Sequence, residues 1–272
     1  MKIRKPSVAG LFYPASAGRL KDEVQTLLSI SYSNQTINNI FGIIVPHAGY
    51  IYSGRTAAYA FNLLKNKDIE TVVILSPSHR EYFPGISIYD GDAYETPLGM
   101  VEIDKDIREK LSSDSRIIFK GTEGHRYEHA VEVQIPFLQL VLKNFKIVPV
   151  VMGDQGDLYV SELSSKLSPA VNDKTIIIAS SDLSHYYSKA DADEMDSIVE
   201  KRIKDFDFDR LQKDFNVKNC EACGAGTIVS LMKAAWYKKI NSSLVLNRSD
   251  SGDTSGDHSQ VVGYLSAVIY SN

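Results

Sequence analysis

The stretch Thr71-Val-Val-Ile-Leu-Ser-Pro-Ser-His79 decides the fold of this chain. Its first five residues are β-branched or apolar and lack polar alternation, which indicates a strand buried on both faces. Such a strand lies inside a sheet that helices cover from both sides. The runs that end at Val45 and Ala179 have the same character, and helical patterns separate the three. The sequence therefore predicts one α/β domain over residues 1–272, with a mostly parallel or mixed central sheet flanked by helices on both faces.

Composition and charge exclude several classes of protein. Of the 272 residues, 43% are apolar and 24% are charged, which are ordinary globular values and exclude a disordered chain. The net charge of −4 and the pI of about 5.9 argue against a broad basic surface for nucleic acid. The basic start Met1-Lys-Ile-Arg-Lys-Pro6 has no apolar stretch after it, so it is not a secretory signal. No window reaches the ~18 apolar residues of a membrane span. We therefore expect a cytoplasmic protein without a nucleic-acid or membrane partner.

Local patterns predict where two of the helices begin or break. Ser53 fits the N-cap of a helix over residues 53–65. Residues 128–142 have a helical pattern, and Pro136 should kink that helix or mark a break in it, because proline has no N–H for a helical hydrogen bond.

Two further patterns concern a strand and a helix near the end of the chain. Pro149 predicts that the strand over 146–152 is an edge strand or contains a bulge, because proline cannot donate to a ladder. The helix over 226–239 is expected to pack through Leu231 and Trp236.

Three histidines lie just beyond the ends of the three strongly predicted strands. These are His47, His79 and His185. In open α/β sheets, ligands bind outside the carboxyl ends of the strands. If the three strands are parallel, the three histidines lie on the same edge of the sheet, with Asp182 beside them. This grouping predicts a functional pocket at that edge.

The residue types in this group are those of a metal site. Neutral imidazole is the commonest metal ligand in proteins. His47 and His79 together with Asp182 would resemble the arrangement of two histidines and one carboxylate that binds Fe(II).

The two cysteines have different predicted roles. Cys223 precedes Gly224-Ala-Gly226 at the start of a predicted helix, and a helix N-terminus lowers the pKa of a thiol. Cys223 is therefore the better candidate for a reactive or metal-binding thiolate. Cys220 is expected to be a buried, inert thiol.

Another polar cluster contains Glu128, His129 and Glu132. The two glutamates are four residues apart at a predicted helix start, where carboxylates complement the helix dipole. His129 could act as a base or orient a neighbouring ligand. Tyr94 leads into a turn, and it either shapes that turn or lines the cleft.

The order of these motifs resembles the Memo family, whose prokaryotic members are also called AmmeMemoRadiSam system protein B. The resemblance covers essentially the whole chain. It rests on Val45-Pro-His-Ala-Gly-Tyr50, Ser76-Pro-Ser-His79, Tyr94-Glu-Thr-Pro-Leu98, Glu128-His-Ala-Val-Glu132, Ser180-Ser-Asp-Leu-Ser-His185 and Cys223-Gly224.

This resemblance implies a fold similar to that of the class III extradiol (LigB-type) dioxygenases, whose non-haem iron lies at strand ends. It implies that His47, His79 and Cys223 match the family's two-His, one-Cys site, and that Asp182 and His185 line the same pocket. It also implies iron or copper as cofactor, redox chemistry and, in animal members, binding of phosphotyrosine peptides. A thiolate in place of a carboxylate favours copper or a redox-active iron over an oxygen-activating Fe(II).

Three functions follow as alternatives. The first is a metal-dependent oxidoreductase in which Asp182, His185 and His129 are the catalytic acid, base or orienting groups. The second is a non-catalytic binding or adaptor protein that uses the same pocket for a peptide or an anionic ligand. The third is a cysteine hydrolase with Cys223 as nucleophile, a histidine as base and Asp182 as their partner, although no known cysteine signature accompanies these residues.

Overall fold

The computed structural model describes residues 1–31 and 37–271. The strands of this part of the chain are β1 (Ile3–Arg4), β2 (Ile40–Val45), β3 (Thr71–Pro77), β4 (Ile86–Tyr89), β5 (Ala93–Thr96), β6 (Gly99–Glu102), β7 (Ile118–Gly121), β8 (Lys146–Met152), β9 (Thr175–Ser180), β10 (His185–Tyr187), β11 (Ser242–Asp250) and β12 (Val261–Tyr270).

The helices alternate with these strands for most of the chain. They are α1 (Ala17–Ile30), α2 (Tyr50–Asn62), α3 (Lys105–Ser112), α4 (Ile135–Val141), α5 (Asp157–Ala170), α6 (Lys189–Lys204), α7 (Phe208–Asn216), α8 (Ala225–Tyr237) and α9 (Gly252–Ser255). A 3-10 helix at Glu132–Gln134 precedes α4. Among the described residues, no helix combines the length and the apolar character needed to cross a membrane.

The larger sheet has a parallel centre and antiparallel flanks. β2, β9, β3 and β8 lie side by side in that order, each parallel to its neighbours. β12 continues the sheet beside β2, and β4 continues it beside β8, both as antiparallel strands. β7 and β10 lie at the two ends, β11 pairs with β12, and β1, β5 and β6 form a separate small sheet. The predicted α/β fold with a mixed central sheet is confirmed.

Helices cover both faces of the larger sheet, as predicted. α1, α2 and α4 pack on one face, and α3, α5, α6, α7 and α8 pack on the other. Along β2, Ile43 and Val45 point to the first layer and Ile44 to the second. Both faces of the central strands are therefore buried, which is why these strands lack polar alternation. Each fully buried aliphatic side chain contributes roughly 1.5–3 kcal/mol to folding.

α2 begins three residues earlier than Ser53, the predicted N-cap. The helix starts at Tyr50, and Gly49 is its N-cap. The carbonyl of Gly49 already accepts from the amides of Tyr52 and Ser53 at 2.9 Å and 3.1 Å. The hydroxyl of Ser53 donates to the carbonyl of Ala48 at 3.0 Å. The backbone turn at the glycine therefore starts the helix, and the serine lies inside it.

The predicted helix over 128–142 is interrupted. It consists of the 3-10 helix at Glu132–Gln134 followed by α4, and Pro136 lies in the first turn of α4. Proline is tolerated there because its missing N–H would have no partner within the helix. The predicted break at Pro136 is thus confirmed. Glu128 precedes the helical residues, so the interpretation that it complements a helix dipole was wrong.

The prediction that Pro149 marks an edge strand or a bulge was wrong. β8 lies between β3 and β4, and Pro149 keeps its register opposite Ile74. The carbonyl of Ile147 accepts a hydrogen bond from the amide of Asp104. This carbonyl therefore points to the side of β8 away from β3. Strand alternation places the nitrogen of Pro149 on that same side, where β4 pairs only from Val150 onward. The missing N–H therefore breaks no ladder bond.

The prediction that Trp236 packs in the core was wrong. Leu231 of α8 is fully buried, whereas Trp236 is 54% exposed and contacts Phe208 at the surface, with ring centroids 6.0 Å apart. Residues five apart on a helix point about 140° away from each other. Leu231 faces the sheet, so Trp236 cannot face it as well.

Candidate functional site

The carboxyl edge of the parallel strands brings three of the predicted site residues together. His47 follows β2, His79 follows β3, and Asp182 follows β9, the strand between those two. The ring centroids of His47 and His79 are 5.0 Å apart. The three parallel strands all end at the same edge of the sheet. Residues that follow them are therefore close in space although they are distant in sequence.

Cys223 reaches the two histidines from the residues just before α8. Its Sγ lies 3.1 Å from Nε2 of His47. The candidate ligand atoms of His47, His79 and Cys223 all lie within 4.8 Å of one another. Two ligands bonded to one ion at about 2.0–2.3 Å lie roughly 3–4.5 Å apart. The three side chains therefore lie close to the spacing that a single ion requires.

Ser180 determines which nitrogen of His47 carries the proton. Its hydroxyl donates to the carbonyl of Ala130 at 2.8 Å and accepts from Nε2 of Gln134 at 2.9 Å. Because a hydroxyl has one proton and two lone pairs, it must also accept from Nδ1 of His47, which is 2.9 Å away. His47 is thus held with its proton on Nδ1, and the lone pair of Nε2 faces the sulfur of Cys223.

Glu128 orients His79 in the same way. Oε1 of Glu128 lies 2.9 Å from Nδ1 of His79, and Oε2 accepts from the backbone amide of His79 at 2.7 Å. Burial alone would raise the pKa of Glu128, but the hydrogen bond and charge of His79, together with His129, lower that pKa to about 2. A carboxylate can only accept, so Nδ1 carries a proton, and in the neutral imidazole Nε2 keeps its lone pair.

Asp182 contacts both the histidine and the cysteine of this group. Its Oδ1 accepts from the backbone amide of His47 at 2.7 Å, and its own amide donates to Sγ of Cys223 at 3.2 Å. Oδ2 lies 4.0 Å from Nε2 of His47. Burial raises the pKa of the Asp182 carboxyl. Since Oδ1 is used by the backbone, Oδ2 is the oxygen that can face a ligand or exchange a proton.

His129 completes one wall of the site. Its ring stacks on His79 with centroids 4.7 Å apart and meets His47 edge-on at 5.3 Å. Nδ1 of His129 is buried, has no hydrogen-bond partner among the described residues, and lies 3.5 Å from a carboxylate oxygen of Glu128. Burial and the charge of His47 lower the pKa of His129 to about 3. A histidine with so low a pKa is a weak base, which favours the orienting role over the role of a base.

His185 lies at the outer side of the group. It is the first residue of β10, and its Nδ1 lies 2.8 Å from the carbonyl of Leu183, an acceptor that places the proton on Nδ1. Burial is the main cause of the lowered pKa of His47 and of the raised pKa of Asp182, and the nearby charge of His185 lowers both pKa values by a smaller amount. His185 is half-buried and its ring contacts Tyr186, which is 71% exposed. The structure therefore places it nearer to solvent than His47.

The expectation that a helix N-terminus lowers the pKa of Cys223 was wrong for the metal-free protein. Burial, followed by the charge of Asp182, raises the pKa of the Cys223 thiol. The desolvation cost of a thiolate exceeds the effect of the helix end, and a bound cation would supply the missing positive charge. Cys220 is a free, buried thiol as predicted, and burial raises its pKa to about 12.

The donor set is of a kind that can hold a first-row transition metal. Two imidazoles present free Nε2 atoms beside one sulfur, and His79 lies on the more exposed side of the group. Three protein ligands leave a coordination position for a further molecule. Nitrogen and thiolate ligands together suit copper and iron better than magnesium or calcium.

Sequence reasoning missed the roles of the residues that orient this group. Ser180 and Gln134 act on His47, and Glu128 acts on His79. Ser180 lies at the end of a strand two residues before Asp182, and that position was a usable signal. Gln134 carries no signal in the sequence, because its contact with Ser180 joins segments 46 residues apart.

A buried ion pair anchors the segment that carries Glu128. The guanidinium of Arg4 pairs with the carboxylate of Glu132, and these residues are 5% and 0% exposed. Arg4 also donates to the backbone carbonyls of Glu128 at 2.5 Å and His125 at 3.2 Å. Glu132 accepts from the hydroxyl of Tyr13 at 2.5 Å. The N-terminal residues thereby hold the irregular segment whose carboxylate orients His79.

Tyr94 does not line the cleft, which was one of its two predicted roles. It lies in β5 of the small sheet and is 1% exposed. Its hydroxyl lies 2.8 Å from Nδ1 of His125, and the guanidinium of Arg4 lies 5.2 Å from the centre of its ring. Pairing of β5 with β1 and β6 turns the ring inward beneath Arg4.

Comparisons with known proteins identify the family of this chain. The family described as Memo-like protein matches residues 4–268. A MEMO1 family protein of Thermoplasma volcanium is 40% identical over 270 residues, which cover 98% of each chain. One from Thermoplasma acidophilum is 40% identical over 269 residues, 97% of this chain and 98% of the relative. One from Methanocaldococcus jannaschii is 35% identical over 285 aligned residues, 98% of this chain and 99% of the relative. This chain belongs to the Memo family.

Proposed function

We propose that this Memo-family protein binds iron or copper through His47, His79 and Cys223 and serves as a redox protein. The observation that carries the proposal is the orientation of the two imidazoles. Ser180 and Glu128 occupy both Nδ1 atoms, so both Nε2 atoms are free beside one sulfur. A metal bound there would supply a one-electron redox couple and a Lewis-acidic position.

The sulfur ligand limits which metal and which reaction are best supported. A soft thiolate favours copper or a redox-active iron over the oxygen-activating Fe(II) of a two-histidine, one-carboxylate site. The amide of Asp182 donates to the same sulfur at 3.2 Å, and hydrogen bonds to a ligand sulfur tune the redox potential of a metal centre. Electron transfer is therefore better supported than dioxygenase chemistry.

The neighbouring polar groups have separate roles in this proposal. Oδ2 of Asp182 and Nε2 of His185 are the atoms that can take up or release a proton, because the backbone occupies the other polar atom of each side chain. His129 holds the two metal-facing rings in place through its contacts with both. A substrate at the open position would meet Asp182 and His185 as its acid, base or orienting groups.

Anaerobic metal analysis tests the metal assignment. Protein reconstituted with Fe(II) or Cu(I) without air should retain about one ion per chain after removal of the excess metal. His47→Ala and Cys223→Ser should reduce retention to the background level. Cys220→Ala is the matched control, because it removes the other thiol and should retain the ion. If His47→Ala and Cys223→Ser retained as much metal per chain as the wild type, the proposal would be overturned.

One observation favours a second candidate, a binding protein that needs no metal. Tyrosines close in sequence to the site residues are strongly exposed, namely Tyr52 at 42%, Tyr82 at 75%, Tyr127 at 61% and Tyr186 at 71%. Exposed aromatic side chains are typical of interaction surfaces. This candidate favours a peptide over a simple anion, since burial lowers the pKa values of His47 and His129 and leaves both rings uncharged near neutral pH.

Calorimetry distinguishes the two candidates. A binding protein should release or absorb heat with peptides from a phosphopeptide panel after complete chelation of metal. No heat across the panel would count against it. The hydrolase alternative is the least supported, because a cysteine nucleophile requires a thiolate and burial raises the pKa of Cys223.

A further inference from the structure

A groove with a volume of about 570 Å³ lies beside the N-terminal strand β1. Residues 2–7 form one side, the end of β4 at Tyr89 contributes to the lining, and residues between Thr122 and Tyr127 form the rest. None of the proposed metal ligands lines it. Its volume is within the range of small-molecule binding clefts.

The lining of this groove contains cations and no acidic residue, although acids outnumber bases 34 to 30 in the whole chain. Two of the cations are already paired, Arg4 with Glu132 and Lys5 with Glu95. Within the described residues, the side chains of Lys2 and Arg126 have no carboxylate within the 4.0 Å of an ion pair. These two positive charges are therefore available to a ligand.

Three acidic side chains near the groove are hydrogen-bonded to other groups. In the adjoining depression, Glu81 accepts from the amide of Gly124 at 2.9 Å and Glu123 accepts from the amide of Thr122 at 2.8 Å. Asp92 accepts from the backbone amide of Lys2 and from the side chain of Lys105. None of these carboxylates neutralises the side chain of Lys2 or Arg126 by an ion pair.

The groove also offers aromatic surface. Tyr89 is only 4% exposed, and its ring packs edge-on against Tyr94 and at a tilt against His125, with ring centroids 5.0 Å and 5.4 Å away. Tyr127 is 61% exposed, and the guanidinium of Arg126 lies 5.9 Å from the centre of its ring. Burial lowers the pKa of His125 to about 3, so this residue adds no charge near neutral pH. The groove thus combines two unpaired cations with one exposed aromatic ring, that of Tyr127.

We propose that this groove binds a small organic phosphate that carries a planar ring. Lys2 and Arg126 would hold the phosphate, and the ring would pack against the exposed ring of Tyr127. Two unpaired cations match the charge of a phosphate better than that of a single carboxylate, and a guanidinium pairs readily with phosphate oxygens. The site is separate from the metal centre, although Tyr127 is followed directly by Glu128, which orients His79.

Titration calorimetry with three probes tests this proposal. Adenosine 5′-monophosphate combines a phosphate with a planar ring, whereas inorganic phosphate and adenosine each carry only one of the two. The monophosphate should bind at least about tenfold more tightly than either fragment, and its affinity should fall as salt concentration rises. Equal affinity for the monophosphate and a fragment, or no heat with any probe, would overturn the proposal.

Exposed variants locate the binding site. Lys2→Ala and Arg126→Ala should each weaken binding of the monophosphate by about fivefold to tenfold, as expected for loss of a charged hydrogen-bond donor. Arg19→Ala and Lys21→Ala, two exposed cations of α1, are the matched controls and should leave binding unchanged. The double variant His79→Ala, Cys223→Ser should also bind normally. Binding that survives Lys2→Ala and Arg126→Ala, or is lost with the metal ligands, would overturn the assignment.

Discussion

The carboxylate of Glu128 accepts two hydrogen bonds from His79, one at Oε1 from the ring Nδ1 at 2.9 Å and one at Oε2 from the backbone amide at 2.7 Å. This pair joins the end of β3 to an irregular segment about 50 residues later in the chain. The hydroxyl of Ser180 has the corresponding relationship with His47. The direction in which both imidazoles present their free nitrogen is thus set by residues outside the proposed ligand set.

Glu128→Gln should weaken metal binding without removing a ligand. The amide group cannot stabilise Nδ1–H of His79 as a carboxylate does, and loss of such an orienting partner typically costs about 10-fold to 100-fold in metal affinity. Competition titration with a chelator of known affinity measures this change. Glu123→Gln, which alters an exposed carboxylate, serves as control. Equal affinities for Glu128→Gln and the wild type would show that the pair does not support the metal.

Ser180→Ala should allow the proton of the neutral His47 ring to move from Nδ1 to Nε2. Nitrogen-15 NMR of the imidazoles distinguishes the two neutral tautomers, so the metal-free variant should show a His47 population with the proton on Nε2. Metal affinity should fall by about tenfold, because part of the protein then lacks a free Nε2 lone pair. Ser29→Ala on the exposed surface of α1 should change neither signal. An unchanged His47 spectrum in Ser180→Ala would contradict the assigned hydrogen bond.

Glu132→Gln should destabilise the fold, because it leaves the buried guanidinium of Arg4 without its counter-charge. Breaking a buried pair by removing one partner typically costs about 3–5 kcal/mol. Urea unfolding at neutral pH measures the loss. Glu95→Gln removes the half-buried partner of the exposed Lys5 and should cost less than about 1 kcal/mol. If the two variants lost similar amounts of unfolding free energy, the fold would tolerate the unpaired charge of Arg4.

The contribution of Glu132 should also depend on pH. Burial would raise the pKa of Glu132, but Arg4 and the hydrogen bond from Tyr13 lower it below its ordinary value of 4.5. A carboxyl with a depressed folded-state pKa stabilises the protein above the unfolded-state pKa, and this stabilisation is lost as pH falls through the folded-state value. The difference between wild type and Glu132→Gln should therefore be largest above about pH 4.5 and shrink in more acidic urea titrations.

Cys223 should react slowly with iodoacetamide in the metal-free protein at neutral pH. Burial raises the pKa of its thiol, and alkylation requires the thiolate. Mass spectrometry of the labelled protein identifies the modified residue, and the rate should increase as pH is raised. Unfolded protein in urea is the control, since both cysteines should then be labelled rapidly. Rapid labelling of folded Cys223 would instead favour the hydrolase alternative.

Much of the fold follows from local patterns in the sequence. The continuous apolar runs of β2, β3 and β9 predict buried strands, because only a sheet covered on both faces removes polar alternation. The histidines and Asp182 after these strands predict a shared edge, because parallel strands end on the same side. Pro149 misled the prediction, since its effect depends on which side of β8 needs an N–H and a single strand does not encode its neighbours.

The sequence by itself determined the fold class, the shared edge and the group of His47, His79 and Cys223, through strand patterning and the resemblance of ordered motifs. Only the tertiary structure decided how that group is oriented and charged. Ser180 and Glu128 fix the tautomers of the two histidines. Burial raises the pKa of Cys223, although a helix N-terminus by itself would lower it. Hydrogen bonds and desolvation depend on atoms brought together from distant parts of the chain, whereas strand and helix patterns depend on neighbours in sequence.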